Sequence, residues 1–251
     1  MSELLFRTAK FKLPRHPWIL HVVLVVPATT LADEPFQHNG IDKVYHPYVQ
    51  ALETEIEYRT VYQTDGDPQE DGVARHRLAI GRAIKDRVFL EGYLIGKETP
   101  QQVFRLDAYE IETKIQLTEQ GELWADWGLL FEFERERSES ITELSAVLLM
   151  EKELGSFVGT FNFGTEYEFG SDIDNEVDFD LAAQLRYRHS ERFEPSFEVY
   201  ADEITFAAGP VAQGVERLGV NRKIFWEIGV LFPFNENTPD STIRFLLELE
   251  F

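Results

Sequence analysis

The stretch Phe157-Val158-Gly159-Thr160-Phe161-Asn162-Phe163-Gly164-Thr165-Glu166-Tyr167-Glu168-Phe169 decides the fold. Its odd positions carry Phe157, Phe161, Phe163, Tyr167 and Phe169, and its even positions carry Thr160, Asn162, Glu166 and Glu168. Successive side chains of a strand point to opposite faces, so this spacing builds one aromatic face and one polar face. Wound as a helix, the same residues scatter charge around the axis and leave no apolar stripe.

The pattern recurs. Leu52–Tyr62 sets Leu52, Ile56, Tyr58 and Tyr62 opposite Glu53, Glu55, Glu57 and Arg59. Val177–Tyr187 sets Val177, Phe179, Leu181, Leu185 and Tyr187 opposite Asp178, Asp180, Gln184 and Arg186. Further strands are expected at 73–84, 87–96, 103–117, 122–134, 141–151, 193–202, 212–220, 224–234 and 241–251, with a bulge near Ala108-Tyr109 where the alternation slips. Segments of about 9–11 residues suit a tilted membrane-crossing strand, and the total is about twelve. The fold class read from this is all-β: a single antiparallel up-and-down transmembrane β-barrel, residues 48–251. An even strand count returns both barrel termini to one end.

Composition agrees. The chain has 251 residues, 20 Phe, no Cys and a formal charge of −21. That charge repels nucleic acid, and the missing thiols exclude disulfides and thiolate metal sites. No run of about 20 apolar residues offers a spanning helix.

The N-terminus reads as a targeting segment. Arg7, Lys10, Lys12 and Arg15 precede the apolar run Trp18–Val26, and small residues lead to Ala32. A basic region, a short apolar core and a small-residue site form a cleavable signal peptide, 1–32, with cleavage expected after Ala32. Residues 33–47 are expected to be a short periplasmic segment. The connections around 85–87, 118–121, 152–155, 189–192 and 221–223 read as tight periplasmic turns. Those around 63–72, 170–175, 207–214 and 235–240 read as longer loops on the outer side.

The last strand places Ile243, Phe245, Leu247, Leu249 and Phe251 on one face. A final alternating strand ending in Phe resembles the insertion signal of Gram-negative outer-membrane β-barrels. That resemblance implies an outer-membrane location, partnership with the barrel-assembly machinery during insertion, and contact with outer-membrane lipid and lipopolysaccharide. The turn Lys85-Asp86-Arg87-Val88-Phe89-Leu90-Glu91 resembles barrels grouped with phenol-degradation MetA-pathway proteins.

The polar faces supply the candidate lumen residues: Glu53, Glu55, Glu57, Arg59, Arg75, Arg77, Glu132, Glu134, Glu166, Glu168, Asp178, Asp180, Arg186, Arg188 and Arg244. Inward charge must be hydrated or paired. A water-filled acidic lumen would make a cation-preferring passive channel for small solutes. A salt-bridged interior would make a closed barrel acting as scaffold or surface-binding protein. In size the chain also resembles a twelve-stranded outer-membrane phospholipase, but only His189-Ser190 brings base and nucleophile close, and adjacent turn side chains diverge. No enzyme is expected. The acidic runs Asp65-x-Asp67-x-x-x-Asp71 and Asp172-x-Asp174-Asn175 lack the spacing of a calcium loop, so no metal or cofactor is expected.

Overall fold

A computed structural model describes residues 40–68 and 71–251. Among them twelve strands run in chain order: β1 Thr54–Thr64, β2 Ala74–Lys85, β3 Val88–Thr99, β4 Gln102–Gln116, β5 Asp126–Glu136, β6 Ile141–Leu154, β7 Phe157–Gly170, β8 Glu176–Tyr187, β9 Glu194–Ala201, β10 Phe206–Arg217, β11 Lys223–Pro233 and β12 Ser241–Glu250. Each pairs antiparallel with its sequence neighbours, and β1 pairs with β12 to close the barrel. Closure leaves no sheet edge with unpaired backbone groups, the condition for crossing hydrocarbon with strands. The signal peptide and its cleavage site lie outside the described residues.

The faces divide as the alternation requires. Ile80, Leu94, Ile111, Phe133, Phe163 and Phe179 are exposed on the outside. Aromatic pairs gather at both rims. Trp124 and Trp127 meet edge to face at 5.9 Å, and Phe157 meets Tyr187 at 5.1 Å, at the end bearing the barrel termini. Tyr167 and Phe169 stack at 5.3 Å, and Phe206 meets Phe234 at 5.4 Å, at the opposite end. An apolar band between two aromatic girdles is the exterior of a membrane-embedded barrel. The expected bulge is present: Ile95 pairs with Ala108 and Gly96 with Leu106, leaving Asp107 as the extra residue.

Four expectations are corrected. The strand expected at 212–220 begins at Phe206, so the expected loop 207–214 is strand. Gly209-Pro210 looks like a loop signal. Here the pairing with β11 passes from Ala208 to Val211, which spares Pro210 the ladder hydrogen bond it cannot donate. A Cβ at Gly209 would sit 1.9 Å from the Val230 carbonyl oxygen, so no larger residue fits. Second, connections are not sorted by length: 117–125, at the terminal end, is as long as 65–73 at the other. Loop length therefore gives the barrel no orientation. Third, Leu52 and Glu53 belong to a turn before β1, where Leu52 has a left-handed backbone (φ 69°).

The fourth concerns the segment read as a separate periplasmic extension, 33–47. From Gly40 onward the chain lies inside the barrel. Gly40 packs against Asp202 in the β9–β10 connection, at the end away from the barrel termini. Ile41 and Val44 pack with Tyr200, Ala207 and Leu231. Tyr45 packs against Leu130, Val147 and Leu149, which explains why β6 is apolar on both faces there. Pro47 passes Gly128 so closely that a Cβ at 128 would lie 3.0 Å from its Cα. Val49 joins Ala83 and Phe89, and the turn at 50–53 delivers the chain into β1. The inner segment thus runs the length of the lumen. It is drawn in because the inner wall presents charges and amide groups that its backbone and side chains satisfy.

The absence of cysteine permits a direct check. With His46→Cys and Glu151→Cys in the folded barrel, a short bis-thiol reagent is expected to join the two positions and alter gel mobility. His46 Nδ1 and Glu151 Oε2 are 2.5 Å apart. Independent labelling of both thiols without bridging would put the segment outside the barrel.

Candidate functional site

The lumen is the candidate site, and its bases sit on one side. β1 and β12, the strands of the closing seam, carry Arg59 and Arg244, both fully buried. Arg59 Nη1 lies 3.0 Å from Asp42 Oδ1, and its Nε lies 3.5 Å from Glu57 Oε1. Arg244 donates to the Asp42 carbonyl and the Tyr200 hydroxyl, and pairs with Glu198 at 2.7 Å and Glu227 at 2.5 Å. Gln184 donates to Glu198 at 2.7 Å and to Gln213 at 3.1 Å, which extends this network across β8, β9 and β10. On β2, Arg77 pairs with Glu110 at 2.5 Å and reaches Asp42 at 3.7 Å, and Arg75 pairs with Glu134 at 2.5 Å. β2 does not neighbour β4 or β5 closely enough for a ladder contact to Glu134, so these pairs reach across the interior.

The inner segment is also tied to β1, β4, β5 and β7. Lys43 Nζ pairs with Glu57 at 2.6 Å. The Tyr45 hydroxyl donates to Glu112 at 2.8 Å, and the Tyr48 hydroxyl to Asp126 at 2.7 Å. Asn162 holds the Tyr45 backbone from both sides, accepting from its N–H at 2.7 Å and donating to its carbonyl at 2.9 Å. The Val49 N–H donates to Gln116 at 2.9 Å. Backbone groups that would otherwise need water are met by side chains, as an ordered buried segment requires.

Acids line both sides: Glu57, Glu198 and Glu227 meet the seam arginines, and others line the opposite strands. Along the paired registers of β3 to β7 two rows form: Glu91, Glu112, Glu132, then Ser145 and Glu166; and Glu110, Glu134, Glu143, Glu168. Between them and the inner segment lies a cavity of about 130 Å³, lined among others by Glu110, Glu132, Glu134, Glu143, Glu166 and Asp180.

The residues named from sequence are distributed as follows. Glu55, Glu57, Arg59, Arg77, Glu134 and Arg244 are buried on the inner wall, with Arg75, Glu132 and Glu166 less deeply placed. Glu168 and Asp178 lie toward the rim away from the termini, and Arg186 pairs with Glu194 at 2.7 Å near the terminal rim. Glu53 sits in the turn before β1, 4.0 Å from Lys223. Arg188 is not in a strand: it is exposed in the β8–β9 connection, bonded to Glu153 at 2.9 Å and to the Gly155 carbonyl. The Arg that follows a strand's last inward position cannot stay inside once the chain turns. In the same connection the His189 ring meets Tyr187 tilted, at 6.2 Å, while the Ser190 hydroxyl donates to the Phe193 carbonyl. Sequence reasoning missed Asp42, Lys43, Tyr45, His46 and Tyr48, and their partners Asn162, Gln116 and Tyr200. The signal was an uncharacteristically mixed apolar and polar run in what looked like a linker.

Arg244→Met leaves Glu198 and Glu227 buried without their cation and is expected to cost about 3–5 kcal/mol, read as a lower unfolding midpoint. Adding Glu198→Gln and Glu227→Gln is expected to recover most of that loss. Equal stability of Arg244→Met and the unmutated barrel would contradict the pairing.

No protein-family model matches the chain, and no curated protein matches it. Solved structures share its architecture. The COG4313 outer membrane channel from Pseudomonas putida F1 aligns with a TM-score of 0.55 at 12% identity, over 85% of this chain and 99% of that one. The KdgM porin in complex with disordered oligogalacturonate gives 0.52 at 10% identity, over 78% and 98%. The NanC porin gives 0.50 at 9%, over 78% and 98%. At such identities the likeness is one of fold, and that fold is the twelve-stranded outer-membrane β-barrel.

Proposed function

We propose that this chain is a Gram-negative outer-membrane protein, inserted after cleavage of residues 1–32, that serves as a passive channel for small solutes with an acidic, cation-preferring lumen. The observation that carries the reading is the inner wall itself. Rows of carboxylates face a cavity, whereas a closed barrel fills its interior with side chains that pair with one another. Inward acids raise the local concentration of cations and disfavour anions. The apolar exterior with its two girdles supports contact with outer-membrane lipid and lipopolysaccharide. Phe245, Leu247 and Leu249 on the outer face of β12, with Phe251 directly after it, support recognition by the barrel-assembly machinery. Kinship with MetA-pathway-type barrels rests on the turn at 85–91 and is the narrowest part of the proposal.

The inner segment limits that channel. It occupies the centre of the lumen, so passage must follow the acidic cavity beside it. A second reading, a closed ion-paired barrel acting as scaffold, is favoured by the two fully buried arginines and their dense pairing.

Planar-bilayer recordings separate the two. The mature chain is expected to give small, cation-selective steps, and deletion of residues 33–49 to enlarge them severalfold. Silence from both proteins would favour the closed barrel, and anion selectivity would refute the acidic lumen.

A further inference from the structure

The two halves of the lumen differ. The cavity is lined by residues such as Arg77, Ser145, Glu166, Asp180 and Ala182, all from the middle of their strands or from the half nearer the mouth away from the barrel termini. Glu166, Asp180 and Ala182 remain partly exposed. In the half nearer the termini the wall closes in. Asp126, Glu151, Thr160, Gln184, Gln213 and Glu227, spread from β5 to β11, are all buried. Residues 45–49 of the inner segment stand within this belt. Asn162 holds the Tyr45 backbone, His46 Nδ1 lies 2.5 Å from Glu151, the Tyr48 hydroxyl donates to Asp126 at 2.7 Å, and the Val49 N–H donates to Gln116 at 2.9 Å. The segment's polar groups are met by the wall rather than by water.

A second observation shows where the fit is tightest. A Cβ at Gly128 would lie 3.0 Å from both Cα and Cβ of Pro47, inside ordinary van der Waals separation. Gly128 is fixed by its ladder positions opposite Gln116 and Leu149, so the side chain it lacks leaves the seat for Pro47. Proline brings no N–H that would need a partner at this dry contact. Residues 45–49 belong to no strand, and a sideways shift of them breaks no sheet ladder.

We infer that residues 45–49 are a gate, closed in this structure and seated by Pro47 against Gly128. The cavity is then a vestibule that opens to the mouth away from the barrel termini, and a solute crosses the barrel only when Pro47 leaves its seat. The passage step rests on the channel reading. The seal does not, and it is tested with no current measured.

The test reads sidedness in the full mature chain, inserted into lipid vesicles. The chain has no cysteine of its own, so Ser145→Cys places a single thiol in the cavity. A membrane-impermeant cationic methanethiosulfonate is supplied from the bath or trapped inside the vesicles. Ser171→Cys and Ser190→Cys, exposed in connections at opposite ends, report which end meets the reagent. The Ser145→Cys thiol is expected to react from the terminal end about tenfold or more slowly than from the other, because only a minor open state admits reagent there. Gly128→Val, which fills the seat, is expected to bring the two rates together. Pro47→Gly, which removes the ring and leaves the wall untouched, is expected to do the same and serves should Gly128→Val fail to fold. Equal rates from both ends without either change, or unaltered sidedness in a variant that still forms the barrel, would overturn the gate. One-sided reaction that both variants abolish, from a barrel that carries no current, would uphold the seal and count against the channel reading alone.

Discussion

Two guanidinium groups with no exposure to solvent, Arg59 and Arg244, set the terms for the rest of the interior. A buried charge left alone costs several kcal/mol, roughly, so each needs a partner fixed in place. The barrel wall supplies Glu57, Glu198 and Glu227, and Asp42 completes both sets, its carboxylate facing Arg59 and its carbonyl accepting from Arg244. Val61 pairs with Arg244 and Arg59 with Leu246 in the β1–β12 ladder, so both arginines stand at the seam where the barrel closes. The inner segment continues directly into β1. Closure of the seam and seating of the segment therefore share the same residues, and a change to one is felt by the other.

That arrangement divides the lumen by charge. The arginines and the apolar patch around Tyr200 hold one flank of the segment, and the acid rows of β3 to β7 face its other flank across the cavity. The segment bears Lys43 toward Glu57, which offsets part of the acid excess there, and His46 lies against Glu151. Where they do not touch, the excess remains and gives the cavity its character. The buried ion pairs lie on one flank of the segment and the cavity on the other.

Much of the wall was legible because strand alternation is a local property. Phe157–Phe169 and Leu52–Tyr62 assign their faces without knowledge of any neighbour. β10 was legible only in part, because Gly209-Pro210 is a loop signal until one sees a close strand crossing that needs glycine and a ladder position that tolerates proline. The connection lengths misled, since the turn residues at 118–121 mark only the middle of a longer excursion from 117 to 125. The inner segment showed only a mixed apolar and polar run. Its order comes from contacts distant in the chain, such as Tyr45 with Asn162, and nothing in Ile41–Val49 taken alone specifies a partner.

Amide hydrogen exchange at Tyr45 and Val49 tests the central claim most directly. Their N–H groups donate to Asn162 at 2.7 Å and to Gln116 at 2.9 Å inside the barrel. In the folded protein in lipid or detergent both are expected to exchange orders of magnitude more slowly than an unstructured peptide, protected like the strand amides of β1. Exchange at the unstructured rate, with β1 still protected, would contradict a segment ordered within the lumen.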